Sequence, residues 1–148
     1  MPTAQVVVET TLPPDKVREA LIDFSGRRPD LWPDLDRDQY EVREVAATNA
    51  VIREGSRLPG MTIWAVERYD WSEPDTVSWT VIESNFCTPG DRVIATIRPR
   101  DDGGTSVHLD WARRGTTLAG KLLVGMIGFT KGAPLRLSTR KAFERLTG

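Results

Sequence analysis

The 148-residue sequence predicts an α+β fold in which a curved antiparallel sheet of about seven strands wraps around a long C-terminal helix. Three observations carry this. Between Gln39 and Arg114 the chain alternates strand-like segments with turn residues, one strand and one short helix precede that run, and helical periodicity follows it. A sheet that curls around a single helix leaves an interior that is either packed with side chains or open to a small molecule.

The first strand is expected over Thr3 to Thr11, where Val6 and Val8 alternate with Gln5 and Glu9. Pro13 and Pro14 stop it and open a helix, because a first-turn N–H has no intrahelical partner to lose. Val17, Ala20, Leu21 and Phe24 recur on one face of that helix, which Ser25 and Gly26 end. Pro29 to Leu35 holds two prolines and Trp32, so a short helical turn or loop packed against a neighbour is expected.

Six strands should follow, over Gln39 to Ala46, Ala50 to Arg57, Met61 to Trp71, Thr76 to Glu83, Arg92 to Arg98 and Ser106 to Arg114. Turn chemistry separates them, as at Thr48-Asn49, Leu58-Pro59-Gly60, Thr88-Pro89-Gly90-Asp91 and Asp101-Asp102-Gly103-Gly104. Such short connections join antiparallel neighbours.

From Thr117 onward Leu118, Ala119, Leu122, Leu123, Met126, Ile127 and Phe129 fill one half of a helix and are expected to face inward. Gly120, Gly125, Gly128 and Gly132 fall on the other half, either as a source of mobility or to admit a close neighbour. Pro134 should kink or restart the helix, after which Leu135, Ala142, Phe143 and Leu146 oppose Arg136, Arg140 and Lys141.

A chain of this length forms one domain and buries roughly two thirds of the surface it exposes when unfolded. The 39% hydrophobic and 28% charged content is that of a soluble globular protein. The longest apolar run, Leu122 to Phe129, is interrupted by glycine and too short to span a bilayer, so no transmembrane segment is expected. Met1 to Thr10 has no signal-peptide character, which points to the cytoplasm. The lone Cys87 excludes an intrachain disulfide.

Charge is segregated: residues 1–112 carry 12 Lys+Arg against 20 Asp+Glu, whereas residues 113–148 carry 8 against 1. The basic end either meets an anionic partner or lies as a solvated helix face on an acidic sheet. Binding of nucleic acid is not expected.

Strand phase follows from polarity, since a half-covered sheet alternates apolar-in and polar-out. Val77, Trp79 and Val81 oppose Ser78 and Thr80; Val93, Ala95 and Ile97 oppose Thr96 and Arg98; Val107, Leu109 and Trp111 oppose Ser106, His108 and Asp110. The strand from Met61 is apolar on both faces, with Ile63, Ala65 and Tyr69 favoured inward and Trp64 the alternative. The interior candidates for contact with a ligand are thus Phe24, Trp32, Ile63, Ala65, Tyr69, Trp79, Val81, Ala95, Leu109, Trp111, Leu122, Met126 and Phe129. The same phases carry Glu67, Glu83 and Arg113 inward, where a buried charge needs a partner. Glu67 and Glu83 are candidate general bases and Arg113 a candidate anion stabiliser, unless the latter two sit at the rim in water.

Other chemistries fit less well. Ser106, His108 and Asp110 carry the residue types of a hydrolase triad, but alternate strand residues stand roughly 6.6 Å apart and these face outward. Asp34, Asp36 and Asp38 mimic a calcium loop, yet Gln39 and Val45 occupy its glycine and glutamate positions. One histidine and one cysteine do not make a zinc site, no phosphate-binding glycine fingerprint is present, and no cofactor is expected.

The whole chain resembles the START-like helix-grip proteins, also called SRPBCC, and in particular their bacterial polyketide cyclase, dehydrase and lipid-transport branch. The local features are Pro13-Pro14-Asp15-Lys16-Val17, Trp32-Pro33, Val66-Glu67-Arg68-Tyr69-Asp70 and Asp101-Asp102-Gly103-Gly104-Thr105. The resemblance implies a cavity between the sheet and the C-terminal helix that binds apolar or aromatic molecules, with or without chemistry. The expected function is binding, transport or sequestration of a lipid or polyketide by a monomer or homodimer. The alternatives are a cyclase or dehydratase using the inward polar residues, and an interaction module using the basic face of Arg136, Arg140, Lys141 and Arg145.

Overall fold

The computed structural model describes residues 4–147. Strand β1 (Ala4–Thr10) leads to helix α1 (Pro14–Leu21), the single turn α2 (Arg28–Leu31) and a 3-10 turn at Arg37–Gln39. Strands β2 (Glu41–Val45), β3 (Asn49–Leu58), β4 (Met61–Asp70), β5 (Thr76–Ser84), β6 (Arg92–Pro99) and β7 (Thr105–Ala112) follow, then helices α3 (Leu118–Phe129) and α4 (Ala133–Thr147). The expected α+β class and its element order are present; Thr3, the expected start of the first strand, lies outside the described residues.

All seven strands form one antiparallel sheet in the order β1-β7-β6-β5-β4-β3-β2. The chain's short hairpins account for every neighbour except β1, which pairs with β7 from Ala4 opposite Trp111 to Thr10 opposite Thr105. At the far edge every residue of β2 is exposed. Its charged side chains and a bulge between Val42 and Glu44 blunt that edge against pairing with another chain.

The core lies on the inner face of the sheet. Val6 and Val8 of β1, Val77, Val93 and Val107 are essentially inaccessible, and Val17 of α1 and Phe143 of α4 close over them. Alternation of β-branched residues with polar ones gives each strand its covered face, and burial of each such side chain is worth about 1.5–3 kcal/mol.

The C-terminal region departs from one long helix. Met126 and Gly128 carbonyls accept the last bonds of α3, Lys131 and Gly132 take positive φ of 57° and 76°, and Pro134 sits in the first turn of α4. A Cβ on Gly132 would stand 2.5 Å from Val6 Cγ2, so the break is fixed against β1. The sheet grips α4, which runs across β1 and bonds through Arg145 Nη1 to the Asp30 carbonyl at 2.6 Å.

The expected inner face of α3 is corrected. Gly120, Val124 and Ile127 are its buried residues, whereas Leu118, Leu122, Met126 and Phe129 are exposed. The cause is close approach: a Cβ on Gly120 would stand 2.3 Å from the Phe86 carbonyl oxygen, so the helix leans in on the side of Gly120, which carries Val124 and Ile127 with it.

Candidate functional site

The inner faces of β3 to β7 meet α4 and the α2 region around a cavity of about 250 Å3. Ile63, Ala65, Glu67 and Tyr69 alternate along β4, which settles the phase of that strand, and Trp79, Val93, Leu109 and Trp111 continue the wall. Leu21, Trp32 and Leu35 close one side, and Leu135, Ser138 and Thr139 of α4 close the top. The cavity therefore lies under α4 and not under the helix from Thr117. A groove of about 580 Å3 adjoins it, sharing Asp34, Leu35, Ser56, Ile63, Phe86, Trp111, Arg113 and Leu135, and reaches Leu123, Met126 and Ile127 on α3.

Two ion pairs are set in this apolar wall. Arg113 Nη2 donates to Glu67 Oε2 at 2.7 Å, and the two side chains are only 6% and 7% exposed. Burial pushes the Glu67 carboxyl above its ordinary value despite the opposing pull of Arg113. Burial also disfavours the Arg113 charge, but Glu67 outweighs it and holds the guanidinium protonated. The Cys87 thiol lies 3.8 Å from Arg113 Nη1, and burial raises its pKa.

The second pair is Arg28 with Glu54, at 3.0 Å between Nε and Oε2. Arg28 further donates to the Leu21 and Asp23 carbonyls, each at 3.1 Å, and to Tyr69 OH at 3.2 Å; Tyr69 OH in turn donates to Glu54. The guanidinium carbon lies 4.8, 5.8 and 5.3 Å from the ring centres of Phe24, Trp32 and Tyr69. Cation–π attraction at such distances stabilises a desolvated charge. Burial works against the Arg28 charge, yet Glu54 and Tyr69 lift its pKa above the ordinary value. Burial and the Glu54 carboxylate raise the Tyr69 phenol well above its own, so Tyr69 is a neutral donor. Tyr69 also stacks on Trp79, with centroids 5.3 Å apart. The indole N–H of Trp32 is buried with no acceptor among the described residues.

Of the residues singled out in the sequence, Trp32, Ile63, Ala65, Glu67, Tyr69, Trp79, Leu109, Trp111 and Arg113 line this cavity together. Met126 lines the adjoining groove. Phe24 packs edge-on against Tyr69 at 4.9 Å, behind Arg28, while Val81 and Ala95 are buried outside the cavity lining. Leu122 and Phe129 are 67% and 89% exposed and line neither space.

Glu83 is exposed and does not join Glu67. Val81 pairs with Glu67 and Glu83 with Val66, so Ile82 is an extra residue on β5. That bulge reverses the alternation and turns Glu83 to the outer face.

Sequence reasoning passed over Arg28, Glu54, Phe86 and Thr139. Glu54 was legible, because it shares the phase of Ala50 and Ile52, both fully buried on the same strand. Arg28 carries no such signal, since in Ser-Gly-Arg-Arg-Pro it reads as a loop cation.

The outward trio behaves otherwise than spacing suggests. Ser106 Oγ and His108 Nε2 are 3.2 Å apart, nearer than the strand repeat alone implies, because both side chains lean together. Asp110 instead accepts from Gln5 Nε2 at 3.1 Å, and none of the three lines the cavity. Asp36 and Asp38 are engaged by Arg57 at 3.0 and 3.4 Å. No group of three or more His, Cys, Asp or Glu among the described residues is placed to hold a metal ion.

A seven-stranded antiparallel sheet gripping a C-terminal helix over an interior cavity is the helix-grip class of fold, shared with a START superfamily protein from Mycobacterium smegmatis. Within that class the chain belongs to the polyketide cyclase / dehydrase and lipid transport family, whose model matches residues 1–146. The structure is similar to that of TTHA0849 from Thermus thermophilus, with 17% identity, 97% of this chain and 96% of that one covered, and a TM-score of 0.79. It is also similar to the Zhui aromatase/cyclase from Streptomyces sp. R1128, with 14% identity, 97% and 94% coverage and a TM-score of 0.73. For the human StarD13 lipid transfer and protein localization domain the values are 15%, 94% and 75%, and 0.66. At these identities the likeness is one of fold. No curated protein matches the sequence. No helix among the described residues is long and apolar enough to cross a membrane.

Proposed function

We propose that the protein binds a hydrophobic or aromatic small molecule, of the lipid or polyketide kind, in the cavity under α4 and carries or sequesters it in the cytoplasm. The observation that carries this reading is the wall itself. Ile63, Ala65, Leu109 and Leu135 with Trp32, Trp79 and Trp111 make an apolar surface around about 250 Å3 of space, continuous with an open groove. An apolar, partly preformed cavity with few polar groups is what small-molecule sites require. Tyr69, Glu67 and Arg113 supply the polar points that would orient a carbonyl or hydroxyl.

Native mass spectrometry of freshly purified protein, with extraction and identification of retained molecules, tests it. A stoichiometric lipid, polyketide or aromatic metabolite is the expected result. Failure of apolar and aromatic probes to bind or to perturb Trp79 and Trp111 fluorescence would overturn it.

The cyclase or dehydratase reading is favoured by one observation, the cavity-facing Glu67 with its raised pKa beside Arg113. A carboxylate of this kind can accept a proton from a bound ketone while the guanidinium stabilises the oxyanion. On that reading Glu67→Gln abolishes turnover of an identified ligand without weakening its binding.

A further inference from the structure

The outward side of α3 differs from the other helices. Leu118, Leu122, Met126 and Phe129 are 77, 67, 49 and 89% exposed. At about 100° per residue they fall within roughly a quarter of the helix circumference. Gly120, Val124 and Ile127 occupy the buried side opposite. Lys121 flanks the stripe and Lys131 stands just past its end, both exposed. Neither lysine, nor Arg140 or Lys141 on α4, forms a salt bridge among the described residues. From Lys121 to Phe143 the chain holds five Lys or Arg and no Asp or Glu, whereas Arg113 and Arg114 just before it are paired with Glu67 and Asp91.

We propose that α3 docks on an anionic lipid bilayer, with its four large apolar side chains entering the acyl boundary and Lys121 and Lys131 at the headgroup phosphates. An interfacial helix needs both signals, an apolar face and a cationic flank, and neither suffices alone. Charge selects the occupant. A second copy of this chain would bring two unneutralised cationic segments together, whereas an anionic surface neutralises them.

Position adds a second argument. Met126 belongs both to the stripe and to the groove that adjoins the cavity. A molecule leaving the acyl layer beside α3 therefore meets the groove first. This step rests on the ligand-binding reading; docking itself does not.

Sedimentation of the full chain with phosphatidylcholine vesicles, with and without phosphatidylglycerol, tests the proposal. Binding is expected only with the anionic lipid, weakening as salt is raised. Leu122→Ser with Phe129→Ser, at positions too exposed to disturb folding, should lower partitioning on the order of tenfold or more, and Lys121→Gln with Lys131→Gln similarly. Circular dichroism checks that each variant is folded. Absence of binding to anionic vesicles, or binding that the Leu122/Phe129 variant leaves intact, overturns the proposal. So does a concentration-dependent dimer that the same variant dissolves without any vesicle binding, which would assign the stripe to a second copy. Uptake of an apolar probe from solution without vesicles reports on the cavity separately, so either reading can fail alone.

Discussion

Arg113 and Glu67 form a direct ion pair, 2.7 Å between Nη2 and Oε2, inside the cavity wall that also holds the Arg28–Glu54 pair. Removing one partner of a buried pair strands the other charge, which costs about 3–5 kcal/mol. Glu67→Ala and Arg113→Ala should each destabilise the fold by that order in urea titrations, while Glu67→Leu with Arg113→Met should be far less harmful than their sum. Strict additivity in this double-mutant cycle would show that the pair is not coupled.

The raised pKa of Glu67 fixes the sign of a pH effect. Its folded-state pKa lies above the unfolded value near 4.5, so the native state holds the proton more tightly. The contribution is fully present below the unfolded pKa and is lost as pH rises through the folded one. Wild type should therefore lose stability relative to Glu67→Gln as pH climbs from about 4.5. The 13C carboxyl resonance of Glu67 should titrate above that value, and a midpoint below it would refute the assignment.

Ala65 is 3% exposed and its methyl group faces the cavity. A phenylalanine there would place its ring in the open space. Ala65→Phe should abolish uptake of an apolar fluorescent probe while changing stability by no more than about 3 kcal/mol, the scale of overpacking. Retained uptake in a folded variant would mean that the probe binds in the outer groove.

Two glycines of the C-terminal region should respond in opposite directions. A methyl group added at Gly125 would meet nothing within 4 Å, and the residue sits in mid-helix, so Gly125→Ala should raise stability by about 0.5–1 kcal/mol. Gly132 combines a φ of +76° with Val6 Cγ2 at 2.5 Å, so Gly132→Ala should lower it by more than about 1 kcal/mol. Thermal melts of the two variants check both signs.

The sheet was legible because β5, β6 and β7 advertise their covered faces: Val77, Trp79 and Val81, or Val107, Leu109 and Trp111, repeat at the period of the pleat. Seven of the thirteen apolar candidates consequently line one cavity. Periodicity failed where tertiary contact outvoted it. In α3 the larger residues have the stronger hydrophobic signal, but backbone approach at Gly120 chose the opposite side. The cage around Arg28 was hidden for a related reason. Its parts come from α2, β3 and β4, which no local pattern connects.

The bulge at Ile82 sets how many carboxylates face the ligand space. With an unbroken register Glu83 would stand opposite Ala65, on the same face as Glu67 and two positions along; the inserted residue puts Ser84 there instead. Ser84 Oγ then accepts from the Phe86 and Cys87 amides at 3.0 and 3.1 Å and anchors the loop beneath α3. Two acids so placed would share a proton at neutral pH, whereas one carboxylate per guanidinium, Glu67 with Arg113 and Glu54 with Arg28, keeps the interior electrically balanced. The register shift at Ile82 thus separates a proton-sharing acid dyad from a neutral binding wall, because it holds Glu83 opposite Val66 on the outer face of the sheet.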